Sequence, residues 1–121
     1  MPLFLLQLLP CKASDFASVL GDDLEWAAHE IPFVELDDNA STVDPAIATA
    51  YYYRWRSFRK HMKWTVADGW VLTEFLPYVP WSGKHNAISA AAGHHIMDAR
   101  WLHNAQVHED YSAFWYERRH R

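Results

Sequence analysis

Cysteine is almost absent from this 121-residue sequence: Cys11 stands alone, so no internal disulfide can form and no disulfide framework supports the fold. One cysteine is compatible with the cytosol and with export, and localisation stays open. Glycine is scarce, at four residues, and there are no internal repeats or low-complexity tracts. Long apolar runs are missing too. Leu3 to Leu9 is apolar but far short of the roughly 20 residues that span a bilayer, so no membrane partner is expected. The same stretch lacks the positive leader of a signal peptide, although Ala13 could end a cleavage site. We read residues 1–30 as an N-terminal extension. Positive charge is also in short supply. The net charge is -4 with histidine neutral, which argues against a polyanionic partner and hence against nucleic acid. Arg118 to Arg121 is a four-residue basic end, too short to change that.

What is abundant is aromatic surface. Seven Trp, six Tyr and six Phe make up 16% of the chain, and such rings serve cores, interfaces and sugar-stacking platforms alike. Ser14 is placed to cap a short helix that Gly21 ends or interrupts. Ile31 to Leu36 reads as an extended segment restricted by Pro32, and Asp37 to Val43 as a loop. Asp44-Pro45 is a helix start. Ile47, Tyr51, Trp55, Phe58 and Met62 then form one apolar face, with Tyr52, Arg56, Arg59 and Lys63 on a wetter one. This predicts a helix over about 45–64. Asp68-Gly69 marks a turn, Trp70 to Phe75 is strand-like, and Leu76 to Asn86 is an aromatic loop in which two prolines and a glycine forbid regular structure. A helix follows over about 87–103, with Ile88, Ala92, His95, Ile96, Ala99 and Leu102 on one face and small residues in its first turns. Asn104 is a stop, and a last helix over about 106–118 carries Tyr111, Phe114 and Trp115 on its apolar side.

The order of these motifs carries a resemblance. Tyr51 to Arg56, Glu74-Phe75-Leu76-Pro77, Trp81 to Asn86, and Ala92-Gly93-His94-His95 resemble six-hairpin glycoside hydrolases of the mannosylglycerate-hydrolase, trehalase and oligosaccharide-glucosidase group. The resemblance covers roughly residues 31–115 and is most specific over 70–102. It implies a mainly helical fold with one or two short strands, namely an incomplete alpha/alpha toroid over 31–121. It also implies a carbohydrate substrate bound as part of a longer protein, with no cofactor. By motif position Trp81, Lys84, His85 and Asn86 lie on the loop that holds the sugar, with Glu74 just before it. Where related enzymes often carry a Trp-Asp pair, this chain has Lys84-His85-Asn86 and no acid. The family's catalytic pair lies further along than residue 121.

The residue chemistry agrees with a binding role. Aromatic rings stack on sugar C–H faces, and Asn, His, Lys and acids bond hydroxyls selectively because a buried polar group is costly to leave unpaired. The bland alternative has Trp81 packing on Tyr78 while Lys84 and His85 face water. Glycoside hydrolysis needs two flanking carboxyl groups, and no catalytic residue is assigned here. Asp22, Asp23, Asp37, Asp38, Glu109 and Asp110 read as solvated charges. Glu74 is either a hydrogen-bonding acid or half of a buried ion pair with Arg54 or Arg56, and Asp98 sits on the small-residue helix. His94, Asp98, His103 and His108 lack the convergence and the HExxH pattern of a zinc site, so no metal is expected; His94 and His95 read as a packing pair. So short a chain is also not expected to cover Tyr52, Trp55, Trp70, Trp81 and Trp115 together, which makes self-association through exposed aromatics an expectation. A small protein- or carbohydrate-binding module with an aromatic face is the alternative function.

Overall fold

The structure, a computed structural model, describes residues 13–32 and 45–118. The expectations for the apolar start, Cys11, residues 33–44 and the final three residues lie outside them. The described chain is mainly helical with one two-stranded antiparallel sheet, as expected. It falls into two compact units, Met1–Ser57 and Phe58–Arg121, divided inside the longest helix.

In the first unit, α1 spans Ala13–Leu20, a 3-10 turn covers Gly21–Asp23, and α2 spans Leu24–Glu30. The helix begins at Ala13, so Ser14 lies inside its first turn and not before it. Gly21 does interrupt the helix: its φ of +55° is left-handed, a conformation glycine adopts without steric cost. The carbonyls at a helix end have no intrahelical donor. Arg56 supplies one, donating from Nη1 to the Val19 carbonyl at 3.1 Å.

The third helix, α3, spans Pro45–His61 and begins at its proline, whose missing N–H would be unsatisfied in a first turn anyway. Its inward face agrees with the expected one at Trp55 and Phe58, both buried, but takes Tyr52, 1% exposed, in place of Tyr51 and leaves Ile47 exposed. The Tyr51 hydroxyl instead donates to the Pro32 carbonyl at 2.6 Å. Three tyrosines in a row leave the stripe ambiguous by one position, about 100° of rotation, and that hydroxyl bond keeps Tyr51 at the margin.

In the second unit the helix stops at His61, earlier than the predicted 64. Met62–Thr65 is a strand, β1, paired with β2 over Gly69–Leu72. The register sets Met62 against Leu72, Lys63 against Val71, Trp64 against Trp70 and Thr65 against Gly69. Met62 continues the helical apolar spacing, but antiparallel pairing with β2, four residues on each strand in register, prevails. Residues 66–68 form the connecting loop, and Gly69 follows with φ +71°, as three-residue hairpin loops favour.

Two helices complete the unit: α4 over Ser89–Ala99, and α5 over Ala105–Ala113, which runs on into a π-helical turn over Phe114–Arg118. Asn104 proves to be a start signal and not a stop: α4 ends at Ala99, five residues before it, and the Asn104 side-chain oxygen accepts from the Gln106 N–H at 3.1 Å and caps α5. α5 packs on β2 and on α4. The core of this unit includes Val71, Leu72, Ala92, Ala99, Val107, Tyr111 and Phe114. Ala92 and Ala99 are therefore small for packing, whereas a Cβ on Gly93 would meet nothing within 4 Å.

The five rings named are not covered together: Tyr52 and Trp55 are buried, Trp70 and Trp115 are half-buried, and Trp81 is exposed. Tyr53, Trp64, Tyr78, Trp101 and Tyr116 are exposed as well.

Candidate functional site: the aromatic loop after the hairpin

Residues 76–86 leave the end of β2 and return to the start of α4. Prolines at 77 and 80 remove two backbone donors, so side chains must supply the order that a ladder would otherwise give. Asn86 supplies most of it. Its Nδ2 donates to the carbonyls of Phe75 and Pro77, both at 2.7 Å. Its Oδ1 accepts from the Val79 N–H at 3.2 Å and the Ser82 hydroxyl at 2.5 Å. A carboxamide has two donors and two acceptor sites, so all its capacity is spent inside the loop. The Asn86 carbonyl also accepts from the Glu74 N–H at 2.9 Å, which brings Asn86 and Glu74 together through the backbone.

Trp81 lies on the loop surface, 70% exposed. Its ring stands edge-on against that of Phe75, with centroids 4.8 Å apart and planes at 73°. Lys84 and His85 do not simply face water. Lys84 Nζ and His85 Nε2 each lie 2.7 Å from one oxygen, Oδ2, of Asp68. The Asp68 side chain is 4% exposed while that of Lys84 is 59% exposed. The hydrogen bond from Lys84, seconded by His85, holds the Asp68 carboxyl below the usual carboxylate range against the opposing effect of burial. Thr65 fixes the turn carrying Asp68: its hydroxyl accepts from the Asp68 N–H and donates to the Gly69 carbonyl. In the sequence Asp68 is legible only as a turn residue. The Asp-Gly signal locates a turn, but nothing in the local pattern tells which distant segment folds over it.

Glu74 is half-buried. Its carboxylate lies 3.8 Å from His95 Nε2, whereas Arg56, one of the two arginines expected to pair with it, donates to Val19 in the first unit. Burial, foremost, pulls the His95 imidazole below its ordinary range, opposed by Glu74 and Asp98 and aided by His61 and His94. His95 Nδ1 is buried without a hydrogen-bond partner. Its ring leans on Tyr111, Tyr111 stacks on Phe114, and Phe114 lies against His85. The last helix thus supports the loop from beneath with a row of rings.

Asp110 is not the solvated charge its sequence position suggests. Instead its Oδ2 accepts from the Trp70 N–H at 3.0 Å and its Oδ1 from the Gln106 side chain at 2.7 Å. A Cβ on Gly69 would run into the same carboxylate. Among the described residues no group of three or more His, Cys, Asp or Glu side chains converges as a metal site, and no described helix is long and apolar enough to cross a membrane.

No family model and no curated protein matches the chain. Among solved structures, a chain named sialidase, a glycoside hydrolase, matches with a TM-score of 0.70 and 30% sequence identity, over 86% of this chain and 10% of that one. The protein therefore spans about a tenth of the length of the sialidase it is similar to, and the likeness fits a piece of a glycoside hydrolase.

Proposed function

We propose that the chain is part of a six-hairpin-type glycoside hydrolase, to which it contributes a sugar-binding loop and not the catalytic carboxylate pair. The observation that carries this reading is the exposed ring of Trp81, standing on Phe75 in a loop whose interior hydrogen bonds are closed by Asn86. A bare indole on a rigid support offers a flat apolar face to sugar C–H groups at little entropic cost. Lys84, His85 and Glu74 supply polar contacts around it, and Asn86 serves the site by shaping the loop. The helices α4 and α5, in contact and joined by a five-residue connection over 100–104, are consistent with one hairpin of a toroid. The sialidase likeness supports the hydrolase assignment.

The test is a titration of fluorotryptophan-labelled protein, with the Trp81 signal assigned through Trp81→Phe. Trehalose, methyl mannoside and sialyllactose serve as probes. A saturable shift at Trp81, lost in Trp81→Ala, is expected with at least one of them. No shift with any sugar would leave the second reading, a module that binds a protein through its aromatic face. Exposed Trp64, Trp101 and Tyr116 outside the loop favour that reading.

A further inference from the structure

We propose that Asp68 is a positioning residue for the aromatic loop, orienting Lys84 and His85 so that their remaining polar atoms are presented as a donor and acceptor pair. The inference rests on the sugar-loop reading above and adds a residue outside the loop to it.

The geometry starts from two anchors. Asn86 ties together the segment from Phe75 to Ser82. Lys84 and His85 lie beyond that reach, and their anchor comes from the hairpin turn, where one buried oxygen of Asp68 receives both side chains at 2.7 Å. Between the anchors the backbone is costly: His85 and Asn86 have φ of 58° and 64°, left-handed values that residues with a Cβ seldom adopt in succession. Such conformations persist where surrounding contacts over-determine them. Here those contacts are the Asp68 pair, Phe114 under the His85 ring, and the Asn86 network.

The chemistry follows from what each side chain has left. An ammonium has three donors, and Asp68 takes one from Lys84, so the others are directed outward from a largely exposed group. A neutral imidazole has one donor and one acceptor. With Nε2–H committed to a carboxylate, the lone pair is on Nδ1. The two residues together then offer donors and an acceptor, the complement of a hydroxyl. Asp68 also balances the positive charge that the loop would otherwise carry beside Trp81.

The experiment uses the whole 121-residue chain. Histidine ring nitrogens are followed by 15N NMR, with His85 assigned through His85→Gln, alongside the Trp81 fluorine signal. In the wild type, His85 is expected in the Nε2–H form. In Asp68→Asn the amide can donate to Nε2, so the ring should switch to the Nδ1–H form while Trp81 becomes more mobile. A stabilising contact alone would not set the tautomer. Lys84→Met, on an exposed side chain, serves if Asp68→Asn does not fold; it should retain the His85 tautomer yet loosen Trp81. With trehalose or methyl mannoside as the probe, Asp68→Asn should weaken the response about tenfold, and Lys84→Met should weaken it less. A wild-type ring in the Nδ1–H form overturns the proposal, as does a folded Asp68→Asn with unchanged tautomer, Trp81 signal and sugar response. If no sugar shifts the wild type, the sugar-loop reading fails separately, while the tautomer and Trp81 signals still decide whether Asp68 sets the loop.

Discussion

Asn86 and Trp81 sit five residues apart on one loop, yet their substitution should have opposite consequences. Asn86→Ala removes four hydrogen bonds and strands two carbonyls and an N–H. Each bond is worth about 1 kcal/mol net, and stranded partners add to the cost, so a loss of about 2–4 kcal/mol is expected in denaturant titration. Trp81→Ala changes an exposed ring and should alter stability by about 0.5 kcal/mol or less, as surface substitutions usually do, while removing the sugar response. Equal destabilisation by the two would contradict the division between a residue that shapes the loop and one that presents its surface. Acid should act at two residues in turn. The folded His95 has its affinity for protons lowered, chiefly by burial. As pH falls below about 6.5 the unfolded chain therefore takes up that proton first, and stability declines until the lower folded value is passed. Asp68 is likewise lowered, chiefly by Lys84. Its contribution is present above about 3.8, the unfolded value, and is lost as pH falls through the folded one. Denaturation midpoints measured against pH should show both declines. His95→Gln should flatten only the upper one; a profile unaffected by that change would contradict the assignment.

At the scale of elements, the hairpin depends on a contact with a helix 40 residues further on. Asp110 reaches from α5 to the Trp70 N–H, and Gly69 leaves space for it. Gly69→Ala faces two penalties: a left-handed backbone, about 1–2 kcal/mol for an L-residue, and a Cβ driven into the Asp110 carboxylate. We expect a total loss of about 2–4 kcal/mol, read as a lower denaturation midpoint. Asp110→Ala should be costly alone, yet combined with Gly69→Ala the losses should fall short of additive, because the collision is gone. Strict additivity would show that the two residues do not meet. This contact also explains where the sequence misled. The apolar spacing Phe58-Met62 extends a helix, and only pairing with β2, itself braced by α5, makes Met62 to Thr65 a strand. Asp68-Gly69 was legible as a turn; that Met62 to Thr65 formed the other arm was not.

For the whole molecule, the rings of Tyr53, Trp64, Tyr78, Trp81, Trp101 and Tyr116 are exposed among the described residues, and apolar exposure, where contiguous, marks interaction surfaces or aggregation hazards. Concentration-dependent self-association is the expected behaviour in sedimentation experiments, reduced by Trp64→Gln with Trp101→Gln. A monomer at every concentration would contradict it. The 121-residue chain is also expected to show no turnover of aryl glycosides or disaccharides, since two suitably spaced carboxyl groups are required and none was assigned. Turnover that disappears in Glu74→Gln or Asp98→Asn would show that the catalytic pair lies here after all.

Several features followed from local sequence. Pro45 starts a helix because its ring pre-sets φ, and Gly21 breaks one because it alone enters left-handed space freely. Of Tyr111, Phe114 and Trp115, expected on the apolar side of the last helix, the first two are buried and Trp115 is half-buried. The site was legible only as a list of residues on one loop. Their relations were decided in three dimensions: Asp68 under Lys84 and His85, Phe75 behind Trp81, and His95 facing Glu74. The physical reason is one of range. Backbone preference and helical period act over a few residues, whereas a carboxylate finds its cation, and a ring its neighbour, only after the intervening chain has folded between them.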